Sequence, residues 1–579
     1  MRTISTDVLI VGAGPCGLTA SALLASYGVS ALTVSQYQGT AHTPRAHITN
    51  MRTMEVFRDL GIESEVENVA QKLSFLSNNV LTTSLAGQEI ARYKSYGSGA
   101  DRLSDYAAAS PCQPLNAPQH VMEPVILDAA RRLGAEIRFY NQFLELKQTP
   151  DLVVSKIRDR KTGEVYEVHS QYVLGADGGR STVAEQIGAQ FQGQSGLVNM
   201  ASLWLEADLE KYTAYRPSVI YTIYQPGHNN GALSGTWICV SPWHEWVFVS
   251  PAAADTPESV LIERARRSIG DSEVELRLKK VVSWQINHLF ATKYRRQRVF
   301  LAGDAAHRHP PTGGLGSNTS VQDAFNLAWK LAFVISGQAG VELLESYHDE
   351  RQPVGRSVVE RAMKNLGNVG AVPQAIGFYP GQSEQDDWAA IDYLYSDRPG
   401  ADERRKKLVE AIRLQNYRSN ALGVELGQQY RSSAILDDGS PAPLSATDPE
   451  LYYQPTTRPG AYLPHAWIQH NQRQMSTLDI AGHGRLCLFI GIVGETWREA
   501  ASIVSEELGV DLSVISIGFR CEHDDVLGDW TAVRGVDDDG AMLVRPDRYI
   551  AWRSQRASSD AVGVLRNALR QILGLGERD

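Results

Sequence analysis

Thr6-Asp7-Val8-Leu9-Ile10-Val11-Gly12-Ala13-Gly14-Pro15-Cys16-Gly17 stands near the beginning of the chain, an apolar run that ends in a glycine-rich turn. Small and apolar residues follow at 18–25, and a second apolar run occupies 30–34. The pattern predicts a strand, a helix and a second strand, which is the setting in which a GxGxxG turn binds a dinucleotide.

Each glycine of this turn has its own physical task. Gly12 permits the tight turn, Gly14 lets the backbone approach a pyrophosphate, and Gly17 lets the helix pack closely on the strand. The free N–H groups at the start of the helix and its positive dipole end would then attract the phosphates. The sequence therefore predicts a dinucleotide site at this turn.

The composition excludes two broad classes of protein. The 579 residues carry 56 Lys and Arg against 66 Asp and Glu, a formal net charge of −10, whereas a nucleic-acid binder gathers a basic excess. We also expect no membrane partner, because no uninterrupted apolar stretch is long enough for a membrane helix.

Five scattered cysteines without a CxxC pair favour a reducing cytoplasm over a disulfide framework. A chain of this length should fold as several domains.

Ser35 departs from the usual dinucleotide pattern. The second strand of such a fold ordinarily ends in Asp or Glu, which binds the ribose diol. A serine makes one neutral hydrogen bond where a carboxylate makes two charge-assisted ones, at a cost of roughly 1–3 kcal/mol. We therefore expect the nucleotide to be held mainly by its pyrophosphate and by its other end.

Two later segments repeat the pattern of a strand that ends in a glycine turn with an acid. Residues 172–181 read YVLGADGGRS, and residues 298–307 read RVFLAGDAAH. The second segment continues as PPTGGLGSN at 310–318 and enters a long predicted helix at 320–335. An aspartate at the carboxyl end of a strand can accept hydrogen bonds from a diol. A glycine turn that opens a helix aims its N–H groups at a developing anion.

Together these motifs resemble the aromatic-ring flavoprotein hydroxylases, which are single-chain FAD monooxygenases. The resemblance is closest to the phenol hydroxylase branch and the 2,4-dichlorophenol 6-monooxygenases within it. The segments that carry it are TPRAHITN at 43–50, RTME at 52–55, GDAAHRHPPTGGLGSNTS at 303–320 and YQPTTRPG at 453–460. The chain has one GxGxxG turn and no second dinucleotide domain, which argues against the two-domain disulfide reductases.

The resemblance implies an α/β fold with several parts. It implies a Rossmann-like FAD-binding fold of the p-hydroxybenzoate hydroxylase type, with an inserted antiparallel-sheet substrate domain and a C-terminal thioredoxin-like domain. The predicted parts are the first FAD-binding segment 1–185, the substrate domain 186–284, the second FAD-binding segment 285–365, a helical connector 366–429 and the C-terminal domain 430–579. Cys487 and Cys521 are far apart in sequence, so the last domain should support the fold or subunit packing rather than redox chemistry.

The resemblance also assigns FAD contacts to particular residues. Asp304 would bind the ribityl chain, Arg45 would lie beside the diphosphate, and Gln119 would lie near the ribityl chain. Asp177 and Arg180 would shape the passage where the pyridine nucleotide approaches. The backbone from Gly314 to Asn318 would contact the pyrimidine edge of the flavin. The full predicted set is Gly12, Gly14, Pro15, Gly17, Ser35, Arg45, Gln119, Asp177, Arg180, Asp304, Pro311, Gly314, Gly316, Ser317 and Asn318.

The implied reaction has two halves. NADPH or NADH reduces FAD, and the reduced flavin combines with O₂ to form a flavin hydroperoxide. Its terminal oxygen then attacks a phenolic ring ortho to the hydroxyl and yields a catechol. Two alternatives stay open: the same chemistry on a larger polycyclic or polyketide aromatic, and a non-catalytic FAD-fold protein of the prenyl-protein escort type.

His47 is the candidate base for the phenolic proton. In the resembling enzymes an aspartate stands five residues before the Arg of the RT(L/M)E motif, and this spacing from Arg52 leads to His47. An imidazole titrates near working pH, as a general base should. The alternative is a loop histidine that only packs or forms hydrogen bonds.

Other candidates follow from the aromatic, strand-like segments at 218–224 and 236–246. Tyr221, Tyr224, Trp237 and His309 are candidate substrate contacts, although ordinary sheet core is the simpler interpretation of each aromatic residue. His307 and His309 form an HxH pair, but no neighbouring residue completes a metal shell, so we expect no metal. We further expect a homodimer.

Overall fold

A computed structural model describes residues 2–228, 233–443 and 447–576. Among these residues, no helix is both long and apolar enough to span a membrane. The strands, in chain order, are β1 Thr3–Val11, β2 Ala31–Val34, β3 Ile48–Thr49, β4 Gln71–Lys72, β5 Asn78–Thr82, β6 Glu89–Lys94, β7 Leu115–Asn116, β8 Glu136–Arg138, β9 Asn141–Gln148, β10 Val153–Asp159, β11 Val165–Gly175, β12 Phe191–Glu206, β13 Ser218–Tyr224, β14 Leu233–Ser241, β15 Glu245–Pro251, β16 Arg277–Ala291, β17 Arg295–Arg296, β18 Val299–Leu301, β19 His307–Arg308, β20 Trp467–His470, β21 Arg473–Ser476, β22 Leu486–Ile490, β23 Leu512–Ser516, β24 Ala541–Val544 and β25 Ile550–Ser554.

The α-helices follow the same chain order, and two short 3₁₀ turns lie at Gly303–Ala305 and Val341–Leu344. The helices are α1 Pro15–Ser26, α2 Met51–Asp59, α3 Glu63–Val69, α4 Leu103–Ala109, α5 Gln119–Arg132, α6 Thr182–Gln186, α7 Glu210–Thr213, α8 Glu258–Ile269, α9 Gly316–Ile335, α10 Glu345–Val369, α11 Ala371–Ile376, α12 Glu384–Leu394, α13 Ala401–Leu414, α14 Asn416–Ser419, α15 Leu422–Leu426, α16 Thr477–Ile480, α17 Glu495–Leu508, α18 Asp529–Val533 and α19 Ala561–Ile572.

The first sheet gathers the three predicted nucleotide motifs at one edge. Its order is β17-β18-β11-β1-β2-β8, with β10 and β9 continuing from β11. The strands β2, β1, β11 and β18 are parallel neighbours, so their carboxyl ends meet at the same edge. The apolar run Val8–Val11 is fully buried, as expected for a parallel strand that is covered on both faces.

The second sheet is larger than the predicted substrate domain. Its order is β19-β16-β12-β15-β14-β13-β5-β6, and its pairs are antiparallel except for the parallel pair β13–β5. Strands β5 and β6 come from residues that the sequence assigns to the first FAD-binding segment, and β16 continues to Ala291, beyond residue 284. The sheet therefore joins the predicted units through long-range pairing that a local pattern does not reveal.

The third body is a four-stranded sheet of order β23-β22-β24-β25. Strands β22 and β23 are parallel, and β24 is antiparallel to β22. Helices α17 and α19 bury Trp497 and Leu565 in the hydrophobic cluster that contains this sheet. This is the thioredoxin-like arrangement that the sequence predicts, and the fold class is confirmed. Cys487 is buried, and all five cysteines are free.

Candidate active site

The first glycine turn has a shape that only glycine allows. Gly12 has φ +112°, and a Cβ there would lie 2.2 Å from the Ala176 carbonyl oxygen. A Cβ on Gly17 would lie 1.9 Å from the Gly12 carbonyl oxygen. Helix α1 begins at Pro15 after Gly14 without a side-chain cap, so its first N–H groups are open to an anion. The turn fits a dinucleotide pyrophosphate.

The structure brings all three predicted motifs together. Asp177 of the second motif lies against Gly12, with its backbone nitrogen 2.9 Å from the position of a Gly12 Cβ. A Cβ on Gly303 of the third motif would lie 3.5 Å from the Cβ of Cys16. One continuous nucleotide would therefore meet all three turns.

The carboxylate of Asp177 is engaged within the protein. Its Oδ1 accepts a hydrogen bond from Ser181 Oγ at 2.5 Å, and its Oδ2 accepts one from the Val183 N–H at 3.1 Å. Burial raises the pKa of Asp177, and these hydrogen bonds oppose the rise. Asp177 thus accepts hydrogen bonds from the N-cap residue and the first turn of α6, and Arg180 is exposed, so their role in the passage of the pyridine nucleotide stays a prediction.

Asp304 lies exposed in an otherwise buried turn, where it can contact a ligand.

Behind this turn lies Asp323, which the sequence analysis did not identify. Its Oδ2 accepts hydrogen bonds from the Gly303 N–H and from His307 Nε2, each at 2.9 Å, and its Oδ1 accepts one from Arg351 Nε at 2.8 Å. Burial would raise the pKa of Asp323, but Arg351 and His307 lower it below its ordinary value. An anionic Asp323 thus fixes the turn that presents Asp304.

Arg308 is a second residue that sequence reasoning missed. Its Cδ lies 3.2 Å from the position of a Gly179 Cβ, and its Nε is buried without a hydrogen-bond partner among the described residues. Burial lowers the pKa of Arg308, and Asp304 opposes this effect. A cation therefore stands between the second and third motifs.

The Gly314–Asn318 turn is held by the Asn318 side chain. Its Oδ1 accepts hydrogen bonds from the Asn50 N–H at 3.0 Å and Thr53 Oγ at 2.6 Å, and its Nδ2 donates to the carbonyls of Ile48 and Gly314. Because this amide is fully used within the protein, Asn318 would meet a ligand through its backbone.

Helix α9 begins within this turn, at Gly316, and Ser317 lies in its first turn. Gly314 has φ +68°, and a Cβ there would lie 2.8 Å from the Ile48 Cβ. Pro311 is exposed at the entrance of the turn. The 20-residue helix directs its open N–H groups at the space beside Ile48, which suits an electron-rich ring edge.

The remaining predicted FAD contacts surround the first turn. The Gln119 N–H donates to the Arg45 carbonyl at 2.8 Å, and the Arg45 side chain is exposed. Gln119 Nε2 donates to Glu123 Oε1 at 2.5 Å, and this oxygen lies 3.9 Å from the position of a Gly14 Cβ. Burial raises the pKa of Glu123, and hydrogen bonds from the Ala41 N–H and the Gln119 side chain oppose the rise. Ser35 follows β2, 7% exposed.

His47 lies in the segment that Asn318 holds. Its carbonyl accepts a hydrogen bond from the Ala117 N–H at 2.8 Å, and its Nδ1 is buried without a partner among the described residues. Burial lowers the pKa of His47 to about 3, His120 adds to this effect, and Asn116 opposes it. The expectation that this imidazole titrates near working pH is therefore corrected, because the buried ring has lost the hydration that stabilises its charge.

Two of the predicted substrate contacts belong to the core. Tyr221 and Trp237 are directly opposite each other on β13 and β14 and are fully buried. The Tyr221 hydroxyl donates to the Arg216 carbonyl at 3.0 Å, and Trp237 Nε1 donates to Ser268 Oγ of α8 at 2.8 Å. Both side chains belong to a buried hydrophobic cluster, which favours the simpler interpretation of sheet core, and their contact with substrate stays a prediction.

The other two candidates for substrate contact are Tyr224 and His309. The Tyr224 hydroxyl is buried without a partner among the described residues. His309 Nδ1 is bonded to the Pro310 carbonyl at 2.7 Å, and its Nε2 lies 3.4 Å from the position of a Gly316 Cβ. His307 is held by Asp323, so the two histidines do not act as a pair.

Asn365 is a buried polar residue beside the α9 turn that no sequence pattern indicated. Both polar atoms of its amide lack partners among the described residues, although the side chain is fully buried. Its Nδ2 lies 3.2 Å from the position of a Gly313 Cβ. Since buried amides are almost always hydrogen-bonded, Asn365 marks a polar space beside the α9 turn that a ligand would complete.

Comparisons with known proteins agree with this geometry. Residues 5–362 match a family described as the FAD binding domain, and residues 456–575 match one described as aromatic-ring hydroxylase, C-terminal. The chain is 43% identical to a 2,4-dichlorophenol 6-monooxygenase of Delftia acidovorans, over 99% of each chain. It is 38% identical to a phenol 2-monooxygenase of Pseudomonas sp. (strain EST1001), over 98% of this chain and 93% of the relative. A crystal structure of the flavin-dependent monooxygenase PieE in complex with FAD and substrate superposes with a TM-score of 0.96, at 42% identity over 100% of each chain.

Proposed function

We propose, from the premise that this chain belongs to the FAD-dependent aromatic-ring hydroxylases, that it converts a phenol or chlorophenol into a catechol. The co-substrates are NADPH or NADH and O₂. The observation that carries the choice of a phenol is the buried Nδ1 of His47, which has no hydrogen-bond partner among the described residues. His47 directly precedes Ile48, whose carbonyl Asn318 binds. The names of the phenol and chlorophenol monooxygenases among the relatives support the same substrate class.

The residues present fit FAD. The glycine turn at Gly12–Gly17 and the start of α1 would hold the pyrophosphate, Asp304 the ribityl chain, and the backbone at the start of α9 the ring edge. When bound, FAD supplies the redox chemistry that activates O₂.

His47 prepares the aromatic ring for attack. Because the pKa of His47 is lowered to about 3, the imidazole is neutral at working pH and its free nitrogen can accept a hydrogen bond from the phenolic hydroxyl. A hydrogen bond of this kind shifts electron density from the O–H bond into the ring and favours attack at the ortho carbon. In this proposal His47 polarises the phenolic hydroxyl through a hydrogen bond and does not take up the phenolic proton.

The site also excludes water. His47, Asn318 and Asn365 are at most 8% exposed, so the reacting ring is surrounded by protein. Exclusion of water strengthens each hydrogen bond in the site and protects a reactive oxidant from side reactions.

The test is substrate-dependent NAD(P)H oxidation with identification of the product. A panel of phenol, 2,4-dichlorophenol and a polycyclic phenol separates the proposed class from the polyketide alternative. We expect catechol products from the small phenols, and His47→Ala should lower the hydroxylation rate while leaving FAD content unchanged. His244→Ala changes a histidine whose side chain is 65% exposed and serves as the control. Hydroxylation of the polycyclic phenol alone, or an unchanged rate in His47→Ala, would contradict the proposal.

The proposal includes a cytoplasmic homodimer. Exposed apolar side chains of the C-terminal domain support a subunit contact there; they are Ile492, Val493, Phe519, Val526 and Leu527. Light scattering on the wild type and on Phe519→Asp tests it: a monomeric wild type would contradict a dimer, and a dimeric variant would contradict this contact.

A further inference from the structure

A pair of histidines with an adjacent carboxylate lies on the C-terminal domain, and the proposed function does not use it. His470 ends strand β20, and His523 lies in the loop after β23. Two backbone hydrogen bonds join these segments: the Gln469 N–H donates to the Asp524 carbonyl at 2.8 Å, and the Asp524 N–H donates to the Gln469 carbonyl at 2.7 Å. The backbone therefore brings the two histidines together.

The ring nitrogens of His470 are held in one arrangement. Its Nδ1 is 2.8 Å from the Glu522 carbonyl oxygen, which can only accept, so this nitrogen carries the proton. Its Nε2 then has a lone pair, which the amide of Asn471 approaches at 2.9 Å. A histidine whose second nitrogen donates to a carbonyl is the usual arrangement of a metal ligand.

His523 is the second imidazole of this cluster. It is 6% exposed, and its backbone N–H donates to the Ser516 carbonyl at 3.1 Å. Its Nδ1 is buried and has no hydrogen-bond partner among the described residues. A buried nitrogen without a partner calls for a ligand, because almost all such atoms are paired in folded proteins.

The distances between the candidate ligand atoms of His470, Glu522 and His523 are close to those in a metal site. The ligand atoms of His470, Glu522 and His523 all lie within 4.8 Å of one another. The two imidazole rings are 4.8 Å apart between centroids and inclined by 27°. Ligands at about 2.0–2.2 Å from a tetrahedral ion are separated by roughly 3.3 Å, and the exposed Glu522 side chain can rotate to close this gap.

We propose that His470, Glu522 and His523 bind a divalent transition-metal ion, with Zn²⁺ the best match, and that water completes the shell. Two imidazoles and one carboxylate are borderline ligands that favour Zn²⁺ and similar ions over Mg²⁺ or Ca²⁺. The ion would join the β20–β21 hairpin to the loop after β23. It would act on the stability of this domain and take no part in the hydroxylation.

The test is a Zn²⁺ titration of the metal-stripped FAD-loaded enzyme by calorimetry, with the thermal unfolding midpoint measured in parallel. We expect one Zn²⁺ per chain and a higher midpoint with Zn²⁺. His470→Ala and Glu522→Gln should each weaken binding by about tenfold or more, and neither changes the buried His523. Co²⁺ should give visible absorption bands that His470→Ala removes.

His169→Ala is the matched control, because His169 lies 3.4 Å from Glu167 but the metal-ligand cluster found among the described residues does not include it. Its Zn²⁺ affinity should equal that of the wild type. The proposal is overturned if the wild type binds no Zn²⁺ or if His470→Ala binds Zn²⁺ as tightly as the wild type.

Discussion

Two strand–helix–strand units of this chain share a topology but differ at the start of the helix. In the unit β1–α1–β2 and in the unit β22–α17–β23 the two strands are parallel neighbours. Helix α1 has no acidic residue in its first turn, whereas α17 begins at Glu495. In the second unit the turn exposes Ile492 and Val493, both more than half exposed.

The glycines of the two turns also serve different contacts. A Cβ on Gly17 would strike the carbonyl of Gly12 within the same turn, so this glycine shapes the cradle itself. A Cβ on Gly491 would lie 2.3 Å from the Asp538 carbonyl of a neighbouring loop, so that glycine permits packing. Topology alone therefore does not make a nucleotide site; the start of the helix must also be open and free of acidic side chains.

The largest expected effect comes from Gly17→Ala. Its Cβ would lie 1.9 Å from a backbone oxygen, and a turn that shifts to relieve this overlap no longer matches the pyrophosphate, so FAD affinity should fall by roughly 100-fold. Fluorescence titration of the apoprotein with FAD measures it. Gly39→Ala, with open space around the new Cβ, is the control. Equal FAD affinity in Gly17→Ala and the wild type would contradict the role of this turn in FAD binding.

Asp323→Asn should have the next largest effect. The change removes the charge that holds the Gly303 turn, and hydrogen bonds to charged groups contribute about 1.5–3 kcal/mol, so FAD affinity should fall by about tenfold or more. Glu350→Gln is the matched control, because Glu350 is an equally buried carboxylate that binds Lys330 and Arg545 instead. It should lower the unfolding temperature and leave the FAD affinity unchanged. The same loss of FAD affinity in both variants would refute the role of Asp323.

Ser35→Glu should strengthen binding. A carboxylate at the end of β2 can accept two hydrogen bonds from the ribose, a gain of roughly 1–3 kcal/mol, or about tenfold in affinity. The same FAD titration checks it, with Gln36→Glu as the neighbouring control. An unchanged or weaker affinity would show that the ribose does not lie at Ser35.

Glu495→Gln should have the smallest effect. Removal of an acid from the first turn of α17 costs the helix about 0.3–1 kcal/mol, because the carboxylate favours the positive end of the helix dipole. Thermal unfolding measures this loss, and the FAD affinity should stay at the wild-type value. A change in FAD affinity would mean that the two units are coupled.

Much of this fold follows from local sequence pattern. Strand β13 occupies Ser218–Tyr224, and β22 occupies Leu486–Ile490, as their apolar runs predict. The glycine motifs mark the ends of β1, β11 and β18, and parallel pairing then places them at one edge. These features were predictable because each depends on residues that are close in sequence.

The parts that were not predictable depend on tertiary contacts. Strand β5 pairs with β13 across a long stretch of chain, and Tyr221 of β13 is buried in a hydrophobic cluster that includes Leu261 of α8. Asp323 and Asn365 carry no motif of their own, and their partners, or lack of them, appear only when helices pack. The pKa of His47 likewise depends on burial and not on spacing.

We infer that three separate turns hold one FAD beside a pocket for an aromatic ring. The most direct measurement is the flavin content of the purified protein, read from its visible absorption spectrum before and after incubation with FAD. We expect one tightly bound FAD per chain, with flavin absorption bands that are weaker in purified Gly17→Ala. A colourless protein that takes up no FAD would contradict it.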